Sequence, residues 1–328
     1  MEIREFTADD NGTVAEVVDL LDAVRKVDSP WEHADTVLSL TGMIRHGWDG
    51  EAPRCFVAAD NARPVAAARL WLSEWDNTHL AWLWLGVHPD ERRQGYGSAL
   101  FDFALQESRR LGRSSFGADG WDHPRTRAFA ARHGLTIRSA AIQRRQYLTE
   151  VDRKVVEERY VEAGEAASAY ELVRIVGRTP PELLDAVAEM TAAINDAPTD
   201  DLEIEDEVFP RERVEDYENA TLAKGQRLYR LLARHKETGE LAGHTVVAVE
   251  SERPWIGEQH DTSVVRAHRG HRLGLLLKSD MVRWLAVEEP QLRTIDTWNA
   301  ESNDHMIAVN EKLGYRVLGR ELEFQRDI

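Results

Sequence analysis

The sequence has a single cysteine, Cys55, among its 328 residues, and it contains no long hydrophobic run. One thiol excludes an intrachain disulfide framework, and its place in the apolar stretch 55–59 predicts a buried side chain and a reducing, cytoplasmic setting. No stretch approaches the roughly 18 apolar residues that a membrane span needs, and the first residues lack the pattern of a targeting signal. We therefore expect no membrane partner.

Positive charge is also scarce: the sequence has 41 Lys and Arg residues against 58 Asp and Glu residues, which gives a formal net charge of −17. Such a field repels phosphate backbones, which argues against nucleic acid as a partner. No His-Glu-x-x-His or paired-cysteine pattern occurs, and we expect no metal. The remaining composition is ordinary for a globular protein, and the length suits two domains.

A glycine-containing basic loop occurs twice, as Arg92 to Gly97 and as Arg269 to Gly274. Each copy follows a predicted strand, apolar throughout in the first half, and precedes a helix with one apolar face. Each is followed by a glycine that ends a further helix, Gly134 in the first half and Gly314 in the second. The loops lie 177 residues apart and the helix-ending glycines 180 apart, so two independent features indicate an internal repeat.

The repeat predicts two domains of one mixed α/β fold. We expect an N-terminal domain over residues 1–150, a charged, alanine-rich connecting helix over 151–168, and a C-terminal domain over 169–328. The connecting stretch has few residues that break helices, so it is predicted to be rigid rather than a flexible linker.

The repeated strand, loop and helix are typical of an anion site, because backbone N–H groups converge where the positive end of a helix dipole lies. Glycine lets phosphate oxygens approach the backbone closely. The expected ligand is a pyrophosphate. A single copy could equally be a simple strand-to-helix turn, but two copies in equivalent contexts favour binding.

The loop spacing resembles motif A of the GNAT acetyltransferases, Gln/Arg-x-x-Gly-x-Gly/Ala. The first loop matches at Arg92, Gly95 and Gly97. The second matches at Arg269 and Gly274, but Arg272 stands where the middle glycine belongs. This arginine could contact phosphate directly or could be a solvated surface residue.

The resemblance is strongest over 79–135 and 257–317, and it implies two tandem GNAT folds, each a mixed, mostly antiparallel sheet flanked by helices. It also implies acetyl-CoA as co-substrate, with the pantetheine arm bonded to the strand before each loop. The cofactor-binding residues carried over from the family are Leu85, Gly86, Val87, Arg92, Arg93, Gln94, Gly95, Tyr96, Gly97, Ser98, Thr262, Ser263, Val264, Arg269, Gly270, His271, Arg272, Leu273, Gly274, Asn303 and Asn310.

The family's usual acid and base are missing. Many members use a glutamate as the general base, and at that position the two halves carry Trp82 and Gln259. Many members use a tyrosine as the general acid, and at that position the two halves of this chain carry Ala130 and Asn310. A proton acceptor for an ammonium substrate must therefore come from elsewhere.

The strand before the second loop supplies the candidates Glu258, His260 and Asp261, because a central strand with purely structural duties would not be polar at consecutive positions. Strand alternation predicts that His260 and Asp261 point to opposite faces. Each of the three could instead be a solvated or internally bonded side chain. On this evidence we expect turnover in the C-terminal half.

An acidic run over 200–207 falls where the family places a loop that covers the acceptor. Its carboxylates would attract a cation, although a solvated acidic loop is the simpler interpretation. The sequence thus predicts acetyl transfer from acetyl-CoA to a small, cationic amine by direct attack in a ternary complex. The alternative is a CoA-binding module in which one or both halves hold acetyl-CoA without catalysis.

Overall fold

In the computed structural model, which describes residues 1–328, the strands of each half of the chain carry helices on both faces. In the first part of the chain the elements are β1 (Glu2–Phe6), α1 (Asn11–Asp28), α2 (Val37–His46), β2 (Arg54–Asp60), β3 (Arg63–Trp71), β4 (Leu80–Val87), α3 (Tyr96–Arg110), β5 (Ser115–Trp121), α4 (Pro124–Arg132) and β6 (Thr136–Tyr147). The remaining elements are α5 (Arg153–Ala166), β7 (Tyr170–Val176), α6 (Leu184–Thr191), α7 (Arg211–Ala223), β8 (Gln226–His235), β9 (Leu241–Glu250), β10 (Ile256–Val264), α8 (Leu273–Glu288), β11 (Thr294–Ala300), α9 (Asp304–Lys312) and β12 (Tyr315–Asp327). None of the helices is long and apolar enough to cross a membrane.

The chain divides into two units by contact density. Unit 1 contains Met1–Ala141, Thr199–Asp206 and Gly319–Ile328, and unit 2 contains Ile142–Pro198 and Glu207–Leu318. The strand order is β1-β2-β3-β4-β5-β12 in unit 1 and β6-β11-β10-β9-β8-β7 in unit 2.

Each unit has a fork between two neighbouring parallel strands. The pair β4–β5 is parallel and ends at Leu83 and Ala118, so the last four residues of β4 have no partner in β5. The pair β10–β11 is also parallel and ends at Glu258 and Asp296. Beyond these points the strands separate and leave main-chain polar groups open to a ligand.

Buried apolar side chains fill both faces of each sheet. In unit 1, Phe101 of α3 and Phe116 of β5 belong to one core, and Val17 of α1 belongs to a second core on the opposite face. In unit 2, Leu277 of α8 and Ala163 of α5 belong to one core, and Val187 of α6 belongs to another. Each sheet is thus enclosed by helices, as a mixed α/β fold requires.

The domain boundaries predicted from the sequence need correction in three segments. The connecting helix is observed as α5, but it packs in the core of unit 2. Residues 142–150 belong to unit 2, and residues 319–328 belong to unit 1. The reason for the last assignment is strand pairing, because Glu321 to Asp327 of β12 form an antiparallel ladder with β5.

Most of the acidic run also lies elsewhere than expected, because its residues 200–206 belong to unit 1 and only Glu207 belongs to unit 2. Its main chain is held in place: the Glu203 N–H donates to Gln325 Oε1 at 2.7 Å, and the Glu205 N–H donates to Asn77 Oδ1 at 2.7 Å. The Ser139 hydroxyl donates to Asp200 Oδ2 at 2.9 Å. The segment is therefore a docked part of unit 1.

The returning strand β12 generates a stability prediction. Leu322 is fully buried in the core of unit 1, so Leu322→Ala should lower the free energy of unfolding by about 2–5 kcal/mol. Val317 on the same strand is exposed, and Val317→Ala should cost less than about 0.5 kcal/mol. Denaturant unfolding measures both, and amide exchange over 115–121 should accelerate for Leu322→Ala alone. Unchanged exchange in β5 would show that β12 does not stabilise this unit.

Candidate active site

The first loop is shaped by its arginine. Arg92 Nε donates to the Val87 carbonyl at 3.1 Å, and its two terminal nitrogens each donate to a different oxygen of Asp28 at 2.9 Å. Gly95 follows as the N-cap of α3 with φ +94°, a left-handed conformation that favours glycine. A Cβ at Gly95 would meet no atom within 4 Å, so the space above the loop is open.

The second loop has the same frame. Arg269 Nε donates to the Val264 carbonyl at 3.1 Å, and the guanidinium donates to Asp196 at 2.6 Å. Arg272 is the N-cap of α8 with φ +56°, so it takes the backbone conformation that Gly95 has in the first loop. Its side chain is exposed and pairs with Glu162 of α5, which agrees with the interpretation of Arg272 as a surface residue.

The first loop opens onto a cavity of about 810 Å³. All ten predicted cofactor residues of this half line it, namely Leu85, Gly86, Val87, Arg92, Arg93, Gln94, Gly95, Tyr96, Gly97 and Ser98. The same cavity extends to Asp119, Trp121 and Glu321. The glycine loop, the unpaired edge of β4 and two carboxyl groups therefore face one space.

Asp119 of β5 and Glu321 of β12 form a coupled carboxyl pair in this cavity. The Trp82 indole Nε1 donates to Asp119 Oδ1 at 2.6 Å. Burial raises the pKa of Asp119, although the hydrogen bonds from Trp82 and Glu321 oppose this. Burial also raises the pKa of Glu321 well above its usual range, and the charge of Asp119 adds to that effect. Together the two carboxyls keep a proton that an isolated carboxyl would have lost.

Sequence reasoning missed this pair for two reasons. Trp82 occupies the position where the family carries a base, and its indole instead positions Asp119 on the next strand. Glu321 comes from a strand that was assigned to the other domain. A signal was present, because Glu321 and Glu323 alternate with the buried Leu322 and Phe324, so two carboxyls share one face of β12.

The three catalytic candidates of the second half lie near one another. His260 Nδ1 and the Tyr217 hydroxyl are 2.5 Å apart, and Glu258 Oε2 is 3.6 Å from His260 Nε2. Burial raises the pKa of Asp261, while the charges of His260 and Arg230 oppose the shift. The regular alternation of side chains is interrupted in this segment, because β10 shifts its register against β9 between Gln259 and Thr262. The opposite orientation of His260 and Asp261 stays a prediction.

Asn303 and Asn310 have structural partners. Asn303 is the N-cap of α9, where its Oδ1 accepts from the Met306 N–H at 3.2 Å. Asn310 is fully buried and donates from Nδ2 to Asn299 Oδ1 at 2.7 Å. Their contact with a cofactor stays a prediction, as does that of the other second-loop residues, Thr262, Ser263, Gly270, His271, Leu273 and Gly274. No group of three or more His, Cys, Asp or Glu is placed to hold a metal ion.

The fold and the repeated loop define an acyltransferase class, and comparison with known families agrees. Residues 17–135 and 191–315 each match the acetyltransferase (GNAT) family. The chain therefore belongs to the GNAT acetyltransferases, as a tandem member with one matching region in each half. The family resemblance, the fold class and the enzyme class predicted from the sequence are confirmed.

Particular relatives cover nearly the whole chain. A mycothiol acetyltransferase from Stackebrandtia nassauensis is 26% identical over 307 residues, which are 92% of this chain and 91% of the relative. A tandem GNAT protein from the clavulanic acid biosynthesis pathway matches with a TM-score of 0.81 and 28% identity, over 99% of this chain and 98% of that structure. A GCN5-related N-acetyltransferase from Sphaerobacter thermophilus, 15% identical, shares the fold with a TM-score of 0.67 over 99% and 95% of the two chains.

The raised pKa of Glu321 leads to a prediction about stability and pH. Between the usual glutamate value of 4.5 and the higher folded value, the unfolded chain releases this proton while the folded chain keeps it, so stability falls as pH rises. Glu321→Gln removes this pH-dependent loss of stability, because glutamine does not ionise. Relative to the parent, the variant should gain at most about 1.4 kcal/mol of unfolding free energy per pH unit across that interval.

Urea unfolding at pH 4 and pH 8 measures this difference, with the exposed Glu237→Gln as control. The gain should be larger at pH 8 for Glu321→Gln and absent at both values for Glu237→Gln. A gain of equal size at the two pH values would mean that ionisation of Glu321 is not its source.

Proposed function

We propose that the protein transfers the acetyl group of acetyl-CoA to a small, cationic amine by direct attack in a ternary complex, and that unit 1 carries this reaction. One observation supports the assignment: a single cavity joins the complete glycine loop to the carboxyl pair Asp119–Glu321. We expect the protein to act in the cytoplasm without nucleic acid, since Cys55 is a buried free thiol and the net charge is −17.

The first loop suits the pyrophosphate of CoA. The open space at Gly95 admits phosphate oxygens, and the first N–H groups of a helix such as α3 have no acceptor within the helix and can bond to an anion. Beyond Leu83, the main chain of β4 has no β5 partner and can bond to the pantetheine arm as an added strand would. The thioester would thereby be held along β4, towards the carboxyl pair.

The carboxyl pair suits the proton transfer. A cationic amine must lose a proton before its nitrogen can attack the thioester carbon, and an acceptor works best when its pKa is near the operating pH. The raised pKa of Glu321 moves it in that direction. The C–N bond then forms, the C–S bond breaks, and CoA leaves as the thiol. Positioning of the two substrates supplies much of the rate.

Turnover in unit 2, as expected from the sequence, is the second candidate. The contacts among His260, Tyr217 and Glu258 support it, because they could remove a proton from an acceptor near β10. If unit 2 only holds acetyl-CoA, the same residues are structural, and this unit is the binding module considered above.

A matched pair of loop variants tests which unit turns over. Gly95 and Arg272 take the same left-handed conformation, which aspartate tolerates better than most residues, so Gly95→Asp and Arg272→Asp each place a carboxylate at a phosphate site. With an amine panel and a free-thiol assay, Gly95→Asp should reduce kcat/KM at least tenfold, and Arg272→Asp should change it less than twofold.

The controls Gly95→Asn and Arg272→Asn keep the backbone demand without adding the charge. Both should retain most of the activity, which would show that charge rather than strain causes the loss. The reverse pattern, with activity lost in Arg272→Asp and kept in Gly95→Asp, would move the active site to unit 2.

The carboxyl pair has a prediction of its own. Glu321→Gln should lower kcat by about 10²–10⁴-fold if it takes the proton. Asp119→Asn should retain more activity and should shift the acidic limb of the pH profile to lower pH, because the neighbouring charge that raises the pKa of Glu321 is removed. An unshifted limb in Asp119→Asn would exclude coupling between the two carboxyls in the reaction.

A further inference from the structure

Lys278 occupies an unusual place in unit 2. It lies nine residues beyond the loop residue Arg269, as Phe101 lies nine beyond Arg92 in unit 1, and both loops share the same hydrogen-bond frame. Phe101 lines the cavity of unit 1. At equivalent positions on the buried side of the helix that follows each loop, α3 of unit 1 therefore carries the phenyl ring of Phe101 and α8 of unit 2 carries the primary amine of Lys278.

A second pair of positions supports the equivalence. The residue after each helix-ending glycine is Leu135 in unit 1 and Tyr315 in unit 2, and Leu135 also lines the cavity of unit 1. In unit 2 the Lys278 Nζ lies 4.7 Å from the centre of the Tyr315 ring. Lys278 and Tyr315 thus contact each other at positions that, in unit 1, form the wall beside the glycine loop.

The surroundings of Lys278 favour an uncharged amine. The residue is 2% exposed, and Tyr315 beside it is 5% exposed. No carboxylate forms an ion pair with Lys278, and burial lowers its pKa to about 7. An ammonium group loses its hydration at such a place, whereas a neutral amine keeps a free electron pair and is a nucleophile near neutral pH.

We propose that Lys278 is an acyl acceptor, whose ε-amine takes the acetyl group from acetyl-CoA held at the second loop and becomes N6-acetyl-lysine. This proposal rests on the proposed function only in requiring acetyl-CoA at that loop. The reaction is self-acetylation of the chain, distinct from transfer to a free amine in unit 1.

The chemistry balances without a further reactant. The electron pair of Nζ forms a bond to the thioester carbon, the C–S bond breaks, and the sulfur leaves with the proton that the amine loses, as CoA thiol. The product amide carries no charge, so it suits the buried position better than an ammonium. Because the acetyl group stays on the Lys278 side chain, each chain reacts once at this position and then stops.

The test uses the full-length protein and deuterium-labelled acetyl-CoA, followed by intact-mass analysis and peptide mapping. The expected result is one labelled acetyl group per chain, located on Lys278. Lys278→Met keeps an unbranched side chain but lacks the amine, so it should remove the label. A thermal melt checks that this variant is folded. Lys312→Met, at an exposed lysine of the same unit, should keep the label at 278.

Loop variants show where the donor binds. Arg272→Asp should reduce labelling of Lys278 at least tenfold, and Arg272→Asn and Gly95→Asp should leave it within twofold of the parent. The proposal is overturned if no label appears, if exposed lysines are labelled as fast as Lys278, or if Arg272→Asp labels like the parent.

The outcome is separable from that of the proposed function. Lys278→Met should keep the parent's turnover with free amines, since that reaction is assigned to unit 1. A labelled Lys278 in a protein that acetylates no amine would reject the proposed function and keep this inference. Amine turnover with an unlabelled Lys278 would do the opposite.

Discussion

The antiparallel ladder between β12 and β5 is the interaction on which the rest of unit 1 depends. It brings Leu322 and Phe324 into the core, and it places Glu321 on the face of the sheet that carries Asp119. Because alternate residues of a strand point to opposite faces, one pairing register supplies both the apolar wall and the carboxyl. A shift by one residue would exchange the two and leave the cavity without Glu321.

The two units show how one backbone frame accommodates different side chains. In both loops the arginine donates to a carbonyl five residues earlier and pairs with an aspartate, so local hydrogen bonds fix the turn. The differences lie beside this frame. Gly95 leaves its loop open, whereas Arg272 pairs with Glu162, and the phenyl ring of Phe101 corresponds to the amine of Lys278. Such differences change chemistry at little cost to the fold.

The repeated features of the sequence predicted the fold well. The glycine loops and helix-ending glycines reflect local backbone conformation, which neighbouring residues largely determine. The strand and helix predicted on either side of each loop are both present. The carboxyl pair was not predicted, because Asp119 and Glu321 are distant in sequence and meet only through strand pairing. The bulge at His260 was not predicted either, since a bulge depends on the partner strand as well as on its own residues.

The return of residues 319–328 to unit 1 has a consequence for synthesis on the ribosome. The chain emerges from its N-terminus, and domains generally fold as they appear. Unit 1 cannot complete its fold as it emerges, because the part of β12 that pairs with β5 is translated after all of unit 2. Until then β5 has an unpaired edge, which is a template for wrong pairing. A chain released early would carry the entire glycine loop yet lack Glu321, the carboxyl that the proposed reaction in unit 1 requires.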